Sequence, residues 1–165
     1  MRSDCESAGV HVPGPRVVKY YGQRANPGGL QLTEATDICH NASAYGGTPG
    51  VFTDSQLSGW RKVTDAVHAK GGFIYCQLWH TGRASSPGMR SGEQCVSSSN
   101  IPMSGTYLDG TKCEDGPPRP LTVDEIHALT KEWAAAAKRA VDIAGFDGVE
   151  IHCTCDPCGN DWLSL

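Results

Sequence analysis

Helix-type and strand-type periodicities alternate three times along this chain, and that alternation restricts the fold more than any other feature of the sequence. Val17, Val18, Tyr20 and Tyr21, running on to Ala25, predict a short helix entered through Pro13-Gly14-Pro15 and closed by Asn26-Pro27-Gly28-Gly29. The segment from Leu30 to Ala35 is short and alternates apolar with polar residues, as a strand does. Leu57, Trp60, Val63 and Val67 then recur at helical intervals. They follow Thr53-Asp54-Ser55-Gln56, which has capping-box spacing, and Lys70-Gly71-Gly72 ends the element. Phe73 to Leu78 reads as a strand apolar on both faces, the pattern of a parallel strand covered by helices. A second capping box, Thr122-Val123-Asp124-Glu125, opens a helix with Ile126, Leu129, Trp133, Ala136, Ala137 and Ala140 as its apolar stripe. Gly148 to His152 is the third strand.

Alternation of this kind calls for right-handed β-α-β units and a parallel sheet, either doubly wound or closed into a barrel. A doubly wound sheet that binds nucleotides carries a glycine fingerprint between a strand and the next helix. Neither G-x-G-x-x-G nor G-x-x-x-x-G-K-[ST] occurs in the chain, which favours the barrel. Barrels gather polar functional groups at the carboxyl ends of their strands, and here the strands end in Glu34, in Gln77 with Trp79, and in His152. Two loops interrupt the repeat. Tyr45 to Gly50 is rich in Gly and Pro, and Thr81 to Pro120 is too long for a plain connector, so it reads as a functional excursion.

With 14 basic and 18 acidic side chains the net charge is −4, which leaves no basic footprint for nucleic acid or an anionic membrane. No apolar stretch approaches a membrane span and no secretory leader is evident, so the expected compartment is the cytosol. Five of the eight cysteines are scattered through the periodic elements and are expected to stay reduced. His11, His40, His68, His80 and His127 show no mutual ligand spacing and read as surface or structural groups, so no metal site is assigned to them.

Five segments in order, Tyr20 to Ala25, Thr33-Glu34-Ala35-Thr36, Gly50-Val51-Phe52, Gln77 to Arg83 and Gly145 to His152, resemble the old yellow enzyme family. These are FMN-containing, NAD(P)H-dependent ene-reductases on a TIM barrel. The stretch Thr33 to Ile38 is similar to the fungal reductase of ergot alkaloid synthesis that acts on chanoclavine-I aldehyde. The resemblance implies that Gln77 hydrogen-bonds the flavin pyrimidine edge, since a primary amide offers both donor and acceptor, and that Ala35 is the small residue approaching the flavin. It implies Trp79 facing the substrate space and His152 as the first of two donors to the carbonyl of an enone or enal. Such donors act where charge accumulates as hydride arrives at the β-carbon. The residues themselves also admit plainer roles. Gln77 could satisfy neighbouring backbone, Ala35 could be a small residue under a helix, Trp79 could be packing, and His152 could be structural.

The resemblance stops after His152. By position Cys155 stands where the second carbonyl donor belongs and Pro157 where the family has its proton-donating Tyr. Proline has no proton to give and a thiol donates weakly, so no catalytic acid is assigned. The expectation is therefore an α/β chain forming a partial TIM (β/α)8 barrel over residues 1–152, about three β/α units equivalent to barrel strands 2 to 4. A Cys-rich tail foreign to the family, from a shifted frame or a retained intron, would occupy 153–165. Such a fragment should bind FMN weakly or not at all, lack activity, and expose sheet edges that favour self-association. Two other readings stay open: a non-catalytic fragment pairing with another barrel chain, and zinc binding by His152, Cys153, Cys155 and Cys158, although one crowded knuckle is unlike a four-ligand site.

Overall fold

The computed structural model describes residues 11–153. Helix α1, Pro15–Arg24, leads into strand β1, Leu30–Leu32, and the two-residue strand β2, Thr36–Asp37. Helix α2, Asp54–His68, precedes strand β3, Phe73–Trp79. The excursion contributes β4, Val96–Ser97, and β5, Arg119–Pro120, before helix α3, Val123–Asp142, and strand β6, Gly148–Ile151. Both capping boxes form as the spacing requires. Thr53 accepts from the Gln56 N–H while the Gln56 side chain accepts from the Thr53 N–H, and Thr122 and Glu125 do the same. No helix among the described residues is long and apolar enough to cross a membrane.

Strand β3 is the centre of the main sheet. It pairs in parallel with β1 and β2 along one edge and with β6 along the other. Ile74, Cys76 and Leu78 of β3 are buried to within 1%, in one core with Val17 and Tyr21 of α1, Trp60 and Val63 of α2, and Ala136 and Ala140 of α3. All three helices thus lie on a single face. A doubly wound sheet would divide them between two, so this is a partial TIM barrel, with the opposite face of the sheet being the one that lines a barrel interior.

Three expectations from sequence need correction. Strand β3 is covered by helices on one face only, because its other face belongs to the barrel interior, and Leu30, Leu32 and Phe73 on that face are 57%, 47% and 49% exposed. The first strand does not run unbroken to Ala35. Leu32 pairs with Tyr75 and Thr36 with Leu78, so the three residues Thr33 to Ala35 oppose the two residues Cys76 and Gln77, which is a bulge. The stripe of α3 is buried at Ala136 and Ala140, while Ile126 is 44% exposed. Small side chains at Ala136 and Ala140 let the helix approach the sheet, and Ile126 lies nearly three turns before that approach, near the start of α3. The excursion has structure of its own, on which the sequence pattern makes no claim. It pairs β4 with β5 in parallel and packs Ala84, Met103, Tyr107 and Cys113 into a small core of its own.

Candidate active site at the carboxyl ends of the strands

Successive residues of a strand point to opposite faces, and the register of β3 with β6 therefore decides which side chains meet. Tyr75 lies opposite Gly148 and Gln77 opposite Glu150. Tyr75, Gln77 and Trp79 consequently share the open face with Glu150 and, one step past the strand, His152, whose N–H donates to Leu78 O at 2.9 Å. A Cβ at residue 148 would lie 2.7 Å from the Tyr75 ring, so the glycine allows that ring to lie across β6. Trp79 stands between two rings. Its centroid is 6.2 Å from that of His152, at an interplanar angle of 30°, and 5.4 Å from that of Tyr45, at 38°. The Tyr45 hydroxyl donates to Ala84 O at 2.8 Å, which anchors this row of rings to the excursion. The Trp79 indole N–H is buried with no acceptor among the described residues.

Gln77 is held at both its backbone and its side chain. Its N–H donates to Thr33 Oγ1 at 2.8 Å, and its Nε2 donates to Glu150 Oε2 at 2.8 Å. The amide is thus not occupied with neighbouring backbone. Ala35 sits half-buried at the end of the bulge, on the strand edge beside Gln77. Gln77, Trp79 and His152 therefore converge on one mouth, with Ala35 at its rim. Cys155, Cys158 and Pro157 lie outside the described residues. Among those that are described, no three His, Cys, Asp or Glu groups gather to hold a metal ion.

A set of buried polar groups backs the mouth. Asp37, in register with Trp79, is fully buried, and neither carboxylate oxygen has a hydrogen-bond partner among the described residues. Burial pushes its carboxyl up to about 7 although Ser43 and Arg90 favour the charged form, and His11 Nδ1 is 3.6 Å from Oδ2. His80 is lowered to about 4, first by burial and then by the Arg90 cation. It is neutral at pH 7, as its acceptance of the Gly82 N–H at Nδ1, 2.9 Å away, requires. Arg90 itself is buried and donates to Ser43 O at 3.2 Å, linking the excursion to the loop that carries Tyr45.

This arrangement, polar and aromatic side chains at the carboxyl end of a one-faced parallel sheet, agrees with what the sequence matches. The family model described as NADH:flavin oxidoreductase / NADH oxidase covers residues 2–155. The chain belongs to that family. It is 59% identical over 152 residues to the flavin oxidoreductase hxnT of Emericella nidulans, covering 92% of this chain and 39% of that protein. It is 47% identical over 147 residues to the chanoclavine-I aldehyde reductase fgaOx3 of Penicillium roqueforti, covering 86% and 37%. The solved old yellow enzyme homologue from Zymomonas mobilis superposes with a TM-score of 0.78 at 39% identity, over 92% of this chain and 41% of that one. The chain thus spans about two-fifths of the length of these relatives.

Members of this family are flavin oxidoreductases that use NAD(P)H and small-molecule substrates, and the mouth can be tested for FMN. The Gln77 oxygen, without a partner among the described residues, and the second amide hydrogen match the paired acceptors and donor of a flavin pyrimidine edge, and Ala35 is a small residue at the rim. Those residues fit. Sequence reasoning missed Glu150, Thr33 and Tyr45. Glu150 could have been found two residues before His152, since strand period two puts both on one face. Tyr45 sits in a Gly/Pro loop without periodicity, and nothing in the pattern marked it.

Proposed function

We propose that this chain is the flavin-edge portion of an FMN-dependent ene-reductase and that in this form it does not complete the reaction. Gln77 and Ala35 would contact FMN, while Trp79 and His152 would face the substrate, an activated alkene such as an enone or enal. Bound FMN would relay hydride from NAD(P)H to the β-carbon. His152 would donate a hydrogen bond to the carbonyl oxygen as negative charge develops there. Trp79, braced by Tyr45, would restrict the pose. The convergence of Gln77, Trp79 and His152 on one face carries this reading. Inactivity follows from Cys155 and Pro157 at the positions of the second donor and the acid, and we read 153–165 as a tail distinct from the barrel portion 1–152. The higher identity with hxnT, 59% against 47%, gives the ergot-pathway substrate no special claim. The cysteines among the described residues are free, three of them buried, which suits a reducing cytosol.

The purified chain titrated into FMN should quench flavin fluorescence weakly, less so as Gln77→Ala, and should show no oxidation of NAD(P)H with cyclohexenone above free FMN. Equal quenching by the wild type and Gln77→Ala, or genuine turnover, would refute the assignment.

A further inference from the structure

A glutamine at a recognition edge has a weakness that its geometry does not remove: the amide can rotate by half a turn, exchanging donor and acceptor at nearly equal energy. The contact described above resolves this. A carboxylate only accepts, so the Glu150 oxygen 2.8 Å away must face the amide nitrogen and never the amide oxygen. The Gln77 oxygen is then left without a partner among the described residues, and it is the end of the amide turned away from the Glu150 carboxylate. Thr33, on the other side of β3, accepts from the backbone N–H of the same residue, so Gln77 is held at its backbone by one neighbour and at its side-chain amide by the other. The pairing is not accidental to the surface: Gln77 and Glu150 are register partners in adjacent parallel strands, both half-buried on the mouth face.

We infer that Glu150 is a positioning residue that locks the Gln77 amide in one orientation, nitrogen toward β6 and oxygen toward the mouth. A ligand with an N–H flanked by carbonyls, the imide edge of a flavin, would meet an acceptor and a donor already set in order. This rests on the flavin reading for its ligand, whereas the lock is a property of the protein alone. A charged acceptor holds such a bond more firmly than a neutral one. Glu150→Gln keeps the shape but offers an amide that can pair with either end of Gln77, and Glu150→Ala removes the partner.

The test is the side-chain amide 15N–1H correlation of Gln77 in the full chain, assigned by its disappearance in Gln77→Met. It is recorded for wild type, Glu150→Gln and Glu150→Ala, with FMN affinity measured in parallel by fluorescence quenching. One Gln77 amide proton should be shifted downfield in the wild type, less so in Glu150→Gln and not in Glu150→Ala, and FMN should bind about tenfold more weakly to Glu150→Ala, the factor that 1.4 kcal/mol represents. Identical Gln77 resonances in all three proteins would overturn the lock whatever FMN does. A wild type that does not bind FMN would overturn the flavin reading, and the downfield proton would still uphold the lock.

Discussion

Replacing Asp37 by asparagine tests the electrostatics behind the mouth. The carboxyl is fully buried and raised from 3.8 to about 7, with burial as the main cause. Because the native value exceeds the unfolded one, the native state holds its proton while the unfolded chain releases it as pH rises past 3.8. The contribution of Asp37 is therefore complete below about pH 4 and lost by about pH 7. At about 1.4 kcal/mol per pH unit over roughly three units, the loss is on the order of 4 kcal/mol. His80 works in the opposite sense. Lowered from 6.5 to about 4, it stays neutral in the native state and costs stability only as the pH falls through that interval. The two slopes oppose each other between about pH 4 and 6.5, so the wild-type profile alone does not separate them. The difference between Asp37→Asn and the wild type does. Urea unfolding followed by tryptophan fluorescence should show Asp37→Asn gaining on the wild type from pH 4 to 7. Above pH 7.5 it should be the more stable by about 2–4 kcal/mol, the lower figure allowing for lost attraction to Arg90. A flat difference curve, or a variant less stable at pH 7.5, would refute the account of Asp37 as a group kept neutral by burial.

Two further outcomes follow from the packing. Gln56, 1% exposed, accepts at Oε1 from the N–H groups of both Phe52 and Thr53, so Gln56→Ala leaves two donors stranded at the start of α2. It should lower stability by about 2–3 kcal/mol in urea unfolding, with Gln56→Glu costing less. Burial pushes the Cys76 thiol up to about 12, whereas Cys153 is exposed. A short N-ethylmaleimide pulse at pH 7.5, mapped by peptide mass spectrometry, should modify Cys153 promptly and Cys76 only on the time scale of unfolding.

What the sequence made legible was whatever depends on neighbours along the chain. The spacing of Thr53 with Gln56 and of Thr122 with Glu125 is sufficient to form their reciprocal caps, and both form. The partial barrel and its three main strands were legible for the same reason, through period and order. The bulge at Thr33 to Ala35 was not, since it exists only in the count of residues opposite β3, a partner some forty positions away. Nor was the tie between Gln77 and Glu150, separated by 73 residues and brought together by register alone. The same holds for Ile126, whose place in a helical stripe said nothing of how far along α3 the sheet extends. Asp37 was invisible for a different reason: an acidic residue in a short polar stretch gives no sign that the chain will enclose it.

Strand β3 divides its labour by parity. Ile74, Cys76 and Leu78 hold the helices, and Tyr75, Gln77 and Trp79 look into the mouth. If the mouth binds as proposed, substitutions at the second set would retune recognition while the first keeps the chain folded, and new specificities would be reachable by point changes. One inserted residue would do the reverse, exchanging the two sets from that point onward and ruining adhesion and recognition in a single step.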